Sequence, residues 1–366
     1  MRRLHWSELH HLASLKILFV TPYPFDSAGS QRFRFEQYFP ALQQQNIYYH
    51  QAPFWSAAAW KILYKKGKQI PKTAYLLLGI VKRFLLLFTL KKYDYIFIHR
   101  ELFPVGPNFL IHWFTKYKVI YDFDDAIWLP NFAANNKRFA FLKNYKQVEL
   151  LCAKAYKLSV GNLYLQEFAQ QFNKNTHIIP TTIDLQKLHT GSIDYNFRTL
   201  HIGWTGTHST MKYLPDILPV LDELKQQYNF KLIVISDKHP DFNREYLEYI
   251  PWKKETEIED LKKIHIGLMP LQNDEWSRGK CGFKALQYMS IGMPAIVSPV
   301  GVNLQIVDHG INGFLCDSLE EWKSALLSCI QNPQSIKALG KNAQEKIEKF
   351  YSVQAITPKF IDLFKG

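Results

Sequence analysis

Arg278, Gly279, Lys280, Gly282 and Lys284 bring cations and glycines together at the start of an apolar helical pattern. Phe283, Leu286 and Met289 recur three residues apart, so a helix begins near Gly282 and stops at Gly292, before Pro294. A helix that begins this way suits an anion. Its first-turn N–H groups and its dipole point at the ligand, and the lysines add full charge. Lys284 and Gln287, at i and i+3, share a face and can address one ligand. Ala295–Ser298 then reads as a short buried strand ending in the turn Pro299, Val300, Gly301. The competing reading is an ordinary amphipathic helix with a solvated basic end.

A second group is acidic. Glu101, Asp122, Asp124 and Asp125 close two apolar runs that read as strands, and strand carboxyl ends face the ligand crevice of an α/β sheet. Carboxylates there can orient or deprotonate a substrate hydroxyl. Equally, they can cap helices or pair with Arg100. Asp122 and Asp124 also have Asp-x-Asp spacing, a three-residue pattern common by chance, and no metal site is expected.

The elements that must position these groups alternate between strand and helix along the chain, the mark of a parallel α/β architecture. Strand Lys16–Thr21 runs into a small-residue loop holding Gly29 and Arg32, with a helix expected from Arg34 to Leu42. A second strand–loop–helix unit begins at Thr199, its loop carrying Gly206 and Thr207. The polar stretch Leu185–Arg198 reads as a linker. The expected domains are residues 1–190 and 191–349, with 350–366 as a closing helical segment.

Gly282, Met289, Gly292, Pro294 and the Ser298–Gly301 turn place the central segment in register with a known signature. It resembles Glu-Gly-Phe-Gly-x4-Glu-Ala-Met-x2-Gly-x-Pro of the retaining, nucleotide-sugar-dependent glycosyltransferases of family 4. The resemblance implies the GT-B fold, two doubly wound Rossmann-like domains facing a cleft. The first domain would serve the acceptor and the second a nucleotide diphosphate-sugar donor, with the last helix packing back on the first domain. It further implies that Gly29 and Arg32 approach the donor sugar, that Trp252 flanks the nucleobase, and that Val300 and Gly301 close the site. Gly279 and Gln287 stand where the family has glutamates. Gln287 can still hydrogen-bond ribose hydroxyls; the first family glutamate faces the donor sugar, and Arg278 or Lys280 must do something different there.

The family's pyrophosphate-clamping arginine is absent near Gly206, so the amides of Gly206 and Thr207 and the Thr207 hydroxyl are the substitutes, with Lys212 a weaker candidate. Tyr121 sits near the place of a family histidine. Asp122, Asp124, Asp125, Arg278 and Lys280 are thus the candidates for chemistry, which would be electrostatic and require neither metal nor cofactor. The acceptor implied is a glycan or lipid-linked sugar, in cell-surface polysaccharide synthesis. Two alternatives stand: a non-catalytic nucleotide-sugar-binding partner subunit, and a sugar-nucleotide epimerase on the same fold.

The 366 residues suffice for two domains, and 47% hydrophobic with 15% aromatic residues excludes extensive disorder. Lys and Arg total 45 against 32 Asp and Glu, a net charge of +13 that favours an anionic partner. From Gln37 to Tyr93 there is no Asp or Glu but there are nine Lys and Arg, interleaved with Phe54, Trp55, Trp60, Tyr64 and Tyr75. Ala74–Leu90 is nearly all apolar, yet Lys82 and Arg83 at its centre argue against a spanning helix. Residues 54–92 read either as an interfacial surface for anionic membrane or as a buried helix with solvated lysines. The basic residues lack a nucleic-acid reading module, so no nucleic acid is expected. Cys152, Cys281, Cys316 and Cys329 have no metal or disulfide spacing. Met1–Ser14 lacks the apolar core of a signal peptide. The expected location is cytoplasmic, peripheral at the inner face of the membrane.

Overall fold

The computed structural model describes residues 15–63, 65, 67–105, 108–129 and 145–365. The readings of Met1–Ser14 and Tyr64 lie outside the described residues. Two compact units divide the chain: one ends at Thr181 and resumes at Ile356, and the other spans Thr182–Ala355. The stretch after Thr182 belongs with the second unit because Ile183 and Ile193 are buried in that unit's core. The sequence alone places these boundaries at residues 190 and 349.

In the first unit, β1 (Lys16–Thr21), β2 (Tyr48–Pro53), β3 (Tyr95–His99), β4 (Val119–Phe123), β5 (Lys157–Val160) and β6 (Thr176–Ile178) form one parallel sheet. Its strand order is β2-β1-β3-β4-β5-β6. β1, β3 and β4 are largely apolar, and β5 is buried throughout, because helices cover both faces of a parallel sheet. β2 was not expected. Its sequence, Tyr-Tyr-His-Gln-Ala-Pro, lacks an apolar run, but an edge strand gains its place through backbone pairing, here Lys16↔Tyr48 through Thr21↔Pro53. The small-residue loop holds a short helix, Gly29–Arg32, and the single helix expected from Arg34 to Leu42 is instead a 3-10 turn Glu36–Tyr38 followed by Phe39–Gln44.

Aromatic residues fill this unit's core. Phe19 packs at 4.9 Å from Phe39 and 5.1 Å from Phe97. The last helix, Val353–Asp362, brings Phe360 into a stack with Tyr38 at 4.3 Å. Lys157 Nζ donates to the Leu363 carbonyl at 3.1 Å, which ties the carboxyl terminus under β5.

In the second unit, β7 (Leu200–Gly206), β8 (Phe230–Ser236), β9 (Leu247–Pro251), β10 (Ile266–Met269), β11 (Ala295–Val297) and β12 (Gly313–Leu315) form the other parallel sheet. Its order, β12-β11-β10-β7-β8-β9, is the dinucleotide-fold order, with the chain reversing direction between β7 and β10. Such a switch point opens a crevice at the strand carboxyl ends. Here the β7–β10 ladder covers only Ile266↔Ile202 and Gly267↔Gly203, and the strands diverge beyond it. The Tyr288 hydroxyl fills the gap, accepting from Thr205 N at 3.0 Å and donating to the Leu268 carbonyl at 3.1 Å. Replacing Tyr288 with Phe leaves a buried N–H without its acceptor and is expected to lower stability by about 1–3 kcal/mol. Denaturant unfolding with an unchanged slope is the measurement.

Candidate functional site

The helix predicted near Gly282 is Phe283–Ser290, and residues Ala285 to Ser290 are all buried. It is more enclosed than an amphipathic surface helix, because it packs over β10 and β11 and against the helix Pro333–Phe350. Gly282 is its N-cap with φ of 66°, and a Cβ there would lie 2.3 Å from Ile306. Glycine is required on both counts.

The first turn of this helix meets the end of β7. A Cβ on Gly206 would stand 2.6 Å from Lys284 Cε and 2.8 Å from Trp204, so the lysine stem lies directly over the glycine. Lys284 Nζ is 5.4 Å from the centre of the Trp204 ring. On the other side, a Cβ on Gly301 would be 2.6 Å from the Arg278 carbonyl, which places the closing turn against the segment before the helix. Val300 is buried beside it. Gly206, Arg278, Gly282, Lys284, Val300 and Gly301 are therefore gathered at the switch-point end of this sheet. Lys280 Nζ sits 5.4 Å over the Trp276 ring. Arg278 donates from Nε to Asn273 Oδ1 at 2.8 Å and is exposed. Gln287 is 9% exposed, one turn beyond Lys284.

Thr207 is exposed, and its hydroxyl pairs with that of Ser209 at 2.8 Å. The loop is fixed by a pair the sequence reading missed. His208 donates from its backbone N to Asp237 Oδ1 at 2.7 Å, and its ring Nδ1 lies 2.7 Å from Asp237 Oδ2. Burial would raise the Asp237 pKa, but the bonds from His208 outweigh it and hold the carboxyl below its ordinary value. Nothing in the two separate stretches signals the pairing. It follows from the β7–β8 register Gly206↔Ser236. Trp252 follows β9, donates its N–H to the Ser236 carbonyl at 2.9 Å and leaves its side chain 42% exposed. With strands spaced about 4.8 Å apart, β9 stands roughly 10 Å from β7, so an aromatic face and a cationic glycine pocket lie along one sheet edge.

The acidic cluster lies in the first unit. Asp122 is 1% exposed and saturated: Arg34 Nη2 donates to Oδ1 at 2.7 Å, Ser159 Oγ to Oδ1 at 2.6 Å, and His99 Nδ1 lies 2.8 Å from Oδ2. Arg34, the first residue of the expected helix, is 1% exposed and also donates to the Ile179 carbonyl. Burial would raise the Asp122 pKa, yet Arg34, His99 and Ser159 together lower it. Asp122 is thus an interior anchor rather than a group presented to a substrate.

Arg100 clamps the other two carboxylates, Nε to Asp124 Oδ1 and Nη2 to Asp125 Oδ2, each at 2.7 Å. Its φ of 58° is left-handed, a strained setting for a bulky side chain. The backbone is fixed on both sides, by Arg100 N donating to the Asp122 carbonyl and Tyr121 OH donating to the Arg100 carbonyl, both at 2.7 Å. Burial would lower the Arg100 pKa, but Asp124 and Asp125 raise it well above the ordinary value. Asp125, at 25% side-chain exposure, is the most accessible of the three aspartates. Gly29 opens the short helix Gly29–Arg32, and Arg32 is paired with Asp26 at 3.3 Å. Among the described residues no group of three His, Cys, Asp or Glu could hold a metal ion.

Solved structures share this architecture along nearly the whole chain. Sucrose-phosphate synthase from Thermosynechococcus elongatus superposes with a TM-score of 0.70 at 13% identity, covering 96% of this chain and 98% of that one. The fold is GT-B. A second GT-B structure, Alr3699/HepE of Anabaena in complex with UDP, superposes at 0.62 with 15% identity over 95% of this chain and 99% of that one. A third GT-B structure, the catalytic domain of Starch Synthase IV from Arabidopsis thaliana bound to ADP and acarbose, gives 0.67 at 10% identity over 96% and 98%. The family model described as glycosyl transferases group 1 matches residues 199–332, the part of this GT-B chain that holds the Gly206–Lys284 pocket. No curated protein sequence matches the chain.

Proposed function

We propose that the protein is a retaining, family 4 glycosyltransferase that moves a sugar from a nucleotide diphosphate-sugar to a glycan or lipid-linked acceptor in cell-surface polysaccharide synthesis. The observation that carries the reading is the Lys284 stem lying over Gly206 at the switch point, inside the segment that matches group 1 glycosyltransferases. A diphosphate fits there because glycine lets backbone amides approach it, while Lys284, Lys280 and the helix N-terminus supply positive charge. That HepE was solved with UDP and Starch Synthase IV with ADP supports a nucleoside diphosphate as the ligand. Trp252, exposed along the same edge, would take the nucleobase, and Gln287 the ribose.

In the transfer, the bond from the sugar to the diphosphate breaks and a bond to the acceptor oxygen forms on the same face. Negative charge grows on the leaving diphosphate, so fixed positive groups lower the barrier without a metal. Asp125, held by Arg100 and the most exposed of the three aspartates, would orient the acceptor hydroxyl. The reaction would take place in the cytoplasm, at the inner face of the membrane.

The test is a panel of nucleotide sugars scored for thermal stabilisation and then for release of the nucleoside diphosphate with a glycan extract as acceptor. One donor is expected to stabilise the protein and be consumed. Stabilisation without turnover would favour a binding subunit, consistent with Gly279 and Gln287 replacing the family glutamates. An isomerised nucleotide sugar would favour an epimerase. No stabilisation by any donor would overturn the assignment.

A further inference from the structure

The helix Gln69–Leu86, continued by the 3-10 turn Leu87–Lys92, has its polarity reversed. Facing inward are Gly79, where a Cβ would lie 2.6 Å from the Phe54 ring, and a buried arginine. Arg83 donates to the carbonyls of Thr21 and Ala52, each at 2.7 Å, and of Leu102 at 3.1 Å. It thereby gathers the carboxyl ends of β1, β2 and β3. Burial lowers its pKa to about 9, so it remains charged at neutral pH. Facing outward are Ile70, Leu77, Leu78, Val81, Phe84, Leu85 and Phe88, from 46% exposed at Leu78 to 85% at Ile70.

Leu77, Val81, Phe84 and Phe88 are spaced by four, three and four residues, with Leu78 and Leu85 beside them and Ile70 two turns earlier, so one helix face carries an apolar stripe. The helix Phe109–Phe114 packs beside the Leu87–Lys92 turn and extends the patch with Phe109 at 62% and Trp113 at 51% exposure. Lys116 Nζ stands 4.2 Å over the Trp113 ring. Scattered exposed apolar residues are ordinary, but a contiguous stripe marks an interaction surface. The alternative of a buried helix is therefore excluded.

Charge selects the occupant. Lys61, Lys65, Lys68, Lys82, Lys91, Lys92 and Lys116 are exposed around the stripe, and residues 37–93 contain no carboxylate side chain. A second copy of the chain would set like charge against like charge. An acidic bilayer offers phosphates to the ammonium groups and hydrocarbon to the stripe at one depth. We propose that this face is a monotopic docking surface for an acidic phospholipid bilayer, with the helix lying in the plane of the interface. The Gln69–Lys92 stretch, 24 residues containing an 18-residue window of mean hydropathy 1.7, is long and apolar enough to cross a membrane. Crossing, however, would pull Arg83 from three carbonyls and leave it beside Lys82 in hydrocarbon. This surface belongs to the first unit and the Gly206–Lys284 pocket to the second, and the inference stands whether or not a sugar is transferred.

The test uses the full chain in flotation with vesicles of phosphatidylcholine alone and of phosphatidylcholine with phosphatidylglycerol. The wild type is expected to float with the acidic vesicles and to be released by alkaline carbonate. Leu77→Ser/Phe84→Ser/Phe88→Ser, checked for native circular dichroism and nucleotide-sugar binding, should bind about tenfold more weakly or worse. Lys61→Gln/Lys65→Gln/Lys68→Gln/Lys116→Gln should erase the preference for acidic vesicles. A wild type that floats with neither vesicle, or a triple variant that floats like the wild type, would overturn the proposal. Resistance to carbonate would show a spanning helix instead. A lipid-free dimer that the triple variant dissolves would show a second copy covering the face.

Discussion

A Lys280→Met/Lys284→Met variant is expected to lose about 10²–10³ in kcat for sugar transfer, the range found when one fixed donor to a developing anion is removed. Methionine keeps the unbranched apolar stem, so the packing of position 284 over Gly206 and Trp204 survives while the charge does not. Charge on the diphosphate is greater once the sugar bond has begun to break. The loss should therefore fall mainly on kcat, with a smaller rise in KM. Unchanged stability, from a denaturant titration, must accompany it. If turnover and nucleotide affinity were both untouched, the diphosphate would not be bound at this pocket.

Asp122→Ala is expected to destabilise the protein by about 3–5 kcal/mol, since it removes the buried carboxylate that pairs with the buried Arg34 guanidinium at 2.7 Å. Asp122→Asn keeps an acceptor for Arg34 or Ser159 and should cost less. The pH dependence has a definite sign. A carboxyl whose folded pKa is depressed contributes stability that is complete above its unfolded value, near 3.9 for aspartate, and fades as pH falls through the folded value. Asp122 and Asp124 are both lowered. The wild type should lose stability below about pH 4, and Asp122→Asn should lose less over the same interval. Chemical denaturation at a series of acidic pH values measures both. If folded Asp122→Asn also retained full turnover, the carboxylate would be structural alone, as its burial indicates.

Much of the frame was legible because parallel strands buried on both faces must be apolar runs. Lys16–Thr21, Tyr95–His99 and Val119–Phe123 could be found that way. The helix at Phe283–Ser290 was legible for a related reason, a helical spacing bounded by Gly282 and the Gly292–Pro294 stop. β2 was not, because an edge strand is held by its backbone and needs no side-chain pattern. The broken helix after β1 was hidden too: Arg34 reads as a surface residue until Asp122, far along the chain, is folded against it.

The sequence by itself determined the α/β alternation, the glycine and lysine pocket at the head of one helix, and the stretch of chain without acidic residues. These depend on local spacing and on composition, which are properties of neighbours along the chain. Only the tertiary structure decided that Asp122 turns inward while Asp125 stays accessible, that His208 locks onto Asp237, and that Arg83 points in while Phe84 and Phe88 point out. Each of those choices depends on which strand lies beside which, and on where burial makes an unpaired charge too costly to leave alone.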